Sequence, residues 1–217
     1  MSGNCQPNEA TNDLTAARER SRSLPISQRA GTPHEQILGA AAQLFMEKGY
    51  HAASVREIGD RLRISQSSLY YHAKSKPQIL VDLNQRFMDR LTRAFEEIEA
   101  SADDPETKLR TVVRQLVRVA ADHQPEVTVV LQERRSLPRR YMKPIQKQRD
   151  RIDEIIDGII DEGIRLKVFR EAEPILTRLA LTGMCNWAYQ WFRPGGRQSP
   201  EQIADHFASI FLQGIRA

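Results

Sequence analysis

The chain has little of what catalytic or secreted proteins usually rely on. Two of its 217 residues are cysteines, Cys5 and Cys185, which gives no disulfide framework and no metal-ligand spacing and fits a reducing cytosol. Its five histidines, at 34, 51, 72, 123 and 206, are scattered, and none forms a His-x-x-x-His pair. There is no nucleophile elbow, paired-carboxylate arrangement, phosphate-binding glycine loop or metal cluster, so an enzyme is the poorer expectation. Glu96, Glu97 and Glu99 read as helix surface, and Cys185, on an apolar face, reads as an inert thiol. Long uncharged apolar runs are missing and the N-terminus lacks a signal-peptide core, so we expect a cytoplasmic chain with no membrane partner, no metal and no cofactor. Strand signals and internal repeats are also lacking.

What is present is helical periodicity. Residues 1–31 are poor in large apolar side chains and read as a tail. In that tail Arg18, Arg20 and Arg22 suit either a solvated segment or a basic arm reaching DNA. From Thr32 the chain announces helices by their caps. Thr32, Pro33 and Glu35 open one that carries Ile37, Ala41, Leu44 and Phe45 and ends at Gly49. Ser54 and Glu57 box a second, with Val55, Ile58 and Leu62 inward, and Ser65 caps a third around Leu69. A fourth starts after Ser75 and runs to about Ala100. A fifth carries Leu109, Val112, Val113, Leu116 and Val119 until Pro125. "EVTVVLQERRSL" mixes strand and helix signals and suits a short helix, and a long helix follows Pro138 to Gly163. The last pair spans about Pro174–Phe192 and Ser199–Gly214. The expected fold is all-α with about nine helices.

The stretch "SVREIGDRLRISQSSLYYHAKSK" sets two short amphipathic helices back to back. With Leu69 inward, helical spacing turns Gln66, Ser67, Tyr70 and Tyr71 outward. Those side chains suit base edges, while His72, Lys74 and Lys76 suit phosphates. This is the pattern of a helix-turn-helix laid in a major groove. Overall charge only permits such a partner: 32 basic against 28 acidic residues leave net +4.

Residues from about Pro33 to Leu80 resemble the DNA-binding domain of the tetracycline-repressor (TetR) family, in "AAQLFMEKGY", "SVREIG" and "SLYYHAKSK". The resemblance implies an α-helical homodimer that binds double-stranded operator DNA through residues 32–76 and a hydrophobic effector through residues 77–217. Carried over residue by residue, Ser54 and Arg56 lie near phosphate. Ser65, Gln66, Ser67, Ser68, Tyr70 and Tyr71 fall on the reading helix, and His72, Lys74 and Lys76 on its phosphate side. The sequence departs from the family at Leu62–Arg63, where a small residue and glycine are usual, at Ser67, and at Ala73, where an aromatic is usual. Leu62–Arg63 implies a strained turn, and Ala73 looser packing.

The segment "GMCNWAYQWFRPGGRQSPEQIADHFASIFLQGI" resembles a subgroup that controls fatty-acid and steroid breakdown, which implies an acyl-CoA thioester as effector. Phe87, Leu91, Val113, Leu116, Ile152 and Ile156 are candidate pocket walls, with Asn186 and Gln190 as candidate polar contacts. Arg134, Arg135, Arg139 and Arg140, in a basic run from Arg134 to Arg151, are candidates for coenzyme A phosphates, against the plainer reading of a solvated face. Leu176, Ala180, Met184 and Trp187, with Ile203, Phe207, Ile210 and Phe211, form stripes suited to a four-helix dimer interface, or to an intramolecular core. The expectation is a homodimeric repressor released by a hydrophobic ligand. The competing class is a DNA-binding protein without an effector, controlled by a protein partner.

Overall fold

A computed structural model describes residues 31–217, so the basic tail around Arg18, Arg20 and Arg22 lies outside the described residues. These residues fold into nine helices of seven residues or more and two short helical turns, one of them the 3-10 turn Arg134–Ser136, with no strand among them. They divide into two compact units, one through Ile79 and one from Leu80.

The first unit contains α1 (Pro33–Lys48), α2 (Val55–Leu62) and α3 (Gln66–His72), and the opening turn of α4 (Lys76–Ala100). Each of α1 to α3 begins where the sequence places a cap. The Thr32 and Ser54 hydroxyls accept from the N–H of Glu35 and Glu57, whose carboxylates accept in return from the Thr32 and Ser54 N–H groups. Lys48, followed by the Ser54 N–H and hydroxyl, holds the Glu57 carboxyl down to about 2. Ser65 caps α3 by accepting from the Ser68 N–H at 3.2 Å. The turn between α2 and α3 closes through Arg63 in the left-handed region (φ 56°, ψ 42°), a conformation that glycine adopts more readily. Ile37, Leu44, Phe45, Ile58, Leu62 and Leu69 fill the core, and Ala73 is buried with them.

In the second unit α5 (Pro105–Asp122) is the central element. It packs against α6 (Gln124–Gln132), α7 (Arg139–Arg165), α8 (Pro174–Asn186), the single turn α9 (Ala188–Trp191) and α10 (Pro200–Ile215). Buried alanines Ala204 and Ala208 line the buried face of α10, which lies along α5. The expected continuous helix to Phe192 is instead broken at Trp187. At the end of α9 the Gln124 side chain donates to the Tyr189 and Phe192 carbonyls at 2.6 and 3.4 Å, satisfying backbone groups left open where that turn ends. α7 runs two residues beyond the expected Gly163, ending at Arg165 with Lys167 at φ 57° in the turn that follows. This turn folds Phe169 back over Gly163, and a Cβ at Gly163 would overlap the Phe169 ring.

Two glycines of α7 therefore predict opposite responses to alanine. At Gly158, where an added Cβ meets nothing, alanine should stabilise by about 0.8–1 kcal/mol. At Gly163 it should cost about 1–3 kcal/mol through overpacking. Urea denaturation of the two variants checks both signs.

Candidate functional site

The α3 surface follows from its one buried position. Leu69 is buried, and Gln66, Ser67, Tyr70 and Tyr71 are exposed, with Tyr71 84% exposed. Lys74 is exposed beyond the helix end. Other residues named from the sequence are already engaged within the unit. Ser54 and Ser65 serve as caps, and the Ser65 hydroxyl also lies 3.0 Å from that of Ser67. Lys76 donates to the His51 carbonyl at 3.0 Å, with its ammonium 4.6 Å from the centre of the Tyr50 ring. His72 is half-buried, with its ring edge-on to Tyr71 and its carbonyl 3.1 Å from His34 Nδ1. Arg56 is exposed, 3.9 Å from Asp60. Ser68 is half-buried.

The second unit encloses a cavity of about 260 Å³. Its apolar walls include Phe87, Leu91, Leu116, Ile152 and Ile156, and Asn186 lies on it as the sequence suggests. Several expected ligand contacts do not line it. Val113 is buried but lies outside these walls: it shares a face of α5 with Leu116 and Ala120 and sits about one to two turns before them along the helix. Arg139 and Arg140 are exposed in the first turn of α7 and do not line the cavity. Gln190 is exposed and donates to the Tyr189 hydroxyl at 2.6 Å.

Polar residues that the sequence reading left out line the same space: Gln146, Arg149, Asp153, Arg178 and Thr182, together with Arg134 from the basic run. Arg178 binds Asp153 at 2.9 Å and Asp157 at 2.8 Å, joining α8 to α7. Burial pushes the Asp153 carboxyl above its ordinary value despite Arg178 beside it. Arg149 was findable in the sequence. It continues the stripe Ile145, Ile152, Ile156 at helical spacing, so it is a charge on a face otherwise turned inward.

A further set of exposed apolar side chains lies on α8 and α10. Leu176, Trp187 and Ile210 are 66%, 62% and 53% exposed, and Ala180 is also exposed. Met184, Phe207 and Phe211 are half-buried, and Trp191 stands edge-on to Phe207 at 6.3 Å. Ile203 is corrected: it is buried on the intramolecular side of α10, beside Ala204. Ile175, absent from the expected interface, and Leu179 are exposed as well. Cys185 faces inward, and burial pushes its thiol up to about 12. Among the described residues no helix is long and apolar enough to cross a membrane.

A helix-turn-helix followed by a larger helical unit with a cavity matches two family descriptions. Residues 37–83 match "Bacterial regulatory proteins, tetR family", and residues 102–215 match "Tetracyclin repressor-like, C-terminal domain". The chain belongs to the TetR family of bacterial transcriptional regulators. Among its relatives is the HTH-type transcriptional repressor KstR2 of Mycobacterium tuberculosis, 28% identical over 195 residues that span 88% of this chain and 96% of the relative. The regulator PfmR of Thermus thermophilus is 33% identical with a TM-score of 0.76, covering 82% of this chain and 97% of its own. AibR, solved in complex with isovaleryl coenzyme A and operator DNA, is 25% identical with a TM-score of 0.74, over 82% of this chain and 96% of its own.

Near the start of α6, Glu126 binds both Arg86 (2.5 Å) and Arg90 (2.6 Å) of α4. His123 lies against Arg90, and burial, then the Arg90 charge, holds its imidazole below the ordinary value. Its folded-state value is depressed, so the unfolded chain takes up the proton first as the pH falls. The neutral ring's contribution is complete above about pH 6.5 and is lost as the pH drops below that. Between about pH 7 and pH 5 the parent should lose more stability than a His123→Gln variant, as measured by thermal melts across that range.

Proposed function

We propose that this chain is a homodimeric repressor that binds a palindromic operator and leaves it when a hydrophobic, acyl-CoA-like effector occupies the larger unit. The observation that carries the DNA-binding part is the exposed row Gln66, Ser67, Tyr70 and Tyr71 on a short helix held by one buried leucine. Gln66 offers a bidentate amide to adenine. The tyrosine hydroxyls suit phosphate or base edges, and the rings suit a thymine methyl. Arg56, Lys74, His72 and Lys76 supply charge for the flanking phosphates, the last after giving up its internal contacts. The caps at Ser54 and Ser65 set the angles of the two helices and leave those N-termini facing the backbone.

The effector part rests on the cavity and on AibR, which was solved with isovaleryl coenzyme A and operator DNA. Phe87, Leu91, Leu116, Ile152 and Ile156 take the acyl chain, and Asn186 bonds its carbonyl. A preference of ~1–3 kcal/mol for a dimer spacing unsuited to B-DNA lowers operator affinity by roughly 5–150-fold. α4, which starts beside α3 in sequence and carries Phe87 and Leu91, transmits the change.

Fluorescence anisotropy on DNA from upstream of the chain's own gene, with competitor DNA present, tests both parts. Specific binding should be released by a long-chain acyl-CoA and not by free CoA. Gln66→Ala and Tyr71→Ala should each weaken the specific complex by about 1–3 kcal/mol and leave nonspecific binding nearly unchanged. Specific binding that ignores the thioester would discard the ligand class.

Dimerisation through α8 and α10 accounts for their exposed apolar residues, a patch that a monomer would leave wet. It also supplies the second reading helix that a palindrome requires. Light scattering should show a dimer for the parent and a monomer for Leu176→Glu/Trp187→Glu, with operator affinity lost in the same variant. A variant that stays dimeric and bound would place the interface elsewhere.

A further inference from the structure

The cavity holds more positive charge than its own carboxylates neutralise. Of the charged residues on its walls, Arg134, Arg149 and Arg178 are cationic, and Asp153 is the single acid. Asp153 and its neighbour Asp157 are both bound by Arg178. This leaves Arg134 and Arg149 without a carboxylate in contact, although the Asp153 charge partly offsets that of Arg149. Arg134 donates to the Gln146 amide oxygen at 2.5 Å. Arg149 makes one long bond, from Nη2 to the Val130 carbonyl at 3.4 Å, and its Nε is buried without a partner.

A guanidinium stays charged in protein, so burial does not relieve it by deprotonation. A buried charge without a counter-ion is costly, and a second cation near it raises the cost. Burial and the nearby Arg134 both disfavour the Arg149 charge. An anion placed between the two removes the repulsion and completes the open Nε–H donor in one step.

We propose that Arg134 and Arg149 form an anion subsite in the cavity wall, so that the effector is an amphipathic anion with a carboxylate or phosphate between the two guanidinium groups and an alkyl part against Phe87, Leu91, Leu116, Ile152 and Ile156. The inference rests on reading the cavity as the effector site, and it replaces Arg139 and Arg140 by Arg149, half-buried in the wall, with the exposed Arg134 beside it. The same chemistry is offered by the carboxylate of a free acid and by the phosphates of a CoA thioester.

Isothermal titration calorimetry on the DNA-free full-length protein separates these sources, using dodecanoate, dodecanoyl-CoA and dodecanol as probes. Arg149→Gln should weaken at least one of the two anions by roughly tenfold or more, as a charge-assisted bond implies. Dodecanol should change by less than about twofold, and Arg149→Lys should keep part of the anion affinity. The anion that loses affinity identifies the group at the subsite. Equal loss for all three probes, no loss for either anion, or no binding of either anion to the parent would overturn the proposal. The ligand-free Arg149→Gln protein should melt at or above the parent temperature, because it has lost a charge that is only partly compensated. A clear drop would make Arg149 a structural residue and also overturn the proposal. Because binding is read without DNA, a protein that takes up the anion and keeps its operator refutes effector release while the anion subsite stands.

Discussion

Covering α5 is the constraint on which the second unit depends. Its buried residues Leu109, Val112, Val113, Leu116, Val117, Val119 and Ala120 extend over more than one face of the helix, so no single partner can bury them. α10 covers one side closely because Ala204 and Ala208 lie on its buried face. On the other side α7 and α8 approach with Arg149, Asp153, Arg178, Thr182 and Asn186 among their inward residues. Polar groups of this kind cannot close against Leu116 and Ala120 as isoleucines would, since each must keep room for a partner. The cavity is the consequence: it opens where the cover of α5 is polar.

The first unit solves a different problem. Helices of seven and eight residues are too short to persist by propensity, so their ends and one or two buried side chains carry them. The Ser54–Glu57 box, the Ser65 cap and the Arg63 turn fix α2 and α3 with bonds made at their edges. Leu69 is then enough to hold α3, and the rest of its surface is released from packing. That release lets four adjacent positions of α3 carry groups chosen for something outside the fold. The same economy explains Lys76, whose bond to the His51 carbonyl and stacking on Tyr50 tie the start of α4 to the end of α1.

Local chemistry was the legible part of the sequence. Thr32, Ser54, Ser65 and Ser199 mark helix starts because a cap is decided by residues three apart, and Leu69 identifies the outward face of α3 by spacing alone. The α8–α9 break at Trp187 was not legible from local spacing, and neither was the capping of the Tyr189 and Phe192 carbonyls beyond it by Gln124, more than sixty residues away in the chain. Val113, Ile203, Arg139 and Arg140 were misplaced for a related reason. Periodicity says that a side chain faces inward, but which neighbour it meets depends on how the helices are arranged. Arg139 and Arg140 were chosen as members of a basic run, and a run of charge wraps a helix on all sides. Only its inward member, Arg149, shares the face of Ile145, Ile152 and Ile156.

That inward arginine bears on what the cavity is for. At its position a leucine would pack against the same isoleucines, and replacing a buried charge by a well-packed apolar side chain is often neutral or stabilising. Stability alone therefore gives no reason for a charge there. Arg178 differs, because two aspartates neutralise it and the group serves as a link between α7 and α8. Arg149 has no carboxylate in contact, and the charge of Asp153 offsets its burial only in part. The remaining cost is borne by the empty state and is offset only when an anion arrives, so the affinity for that anion is built into the ligand-free fold as strain of charge, not of shape. A cavity arranged in this way discriminates by charge first and by chain length second. A missing methylene changes binding by only ~1–3 kcal/mol, whereas a buried guanidinium facing a neutral headgroup is left unpaired.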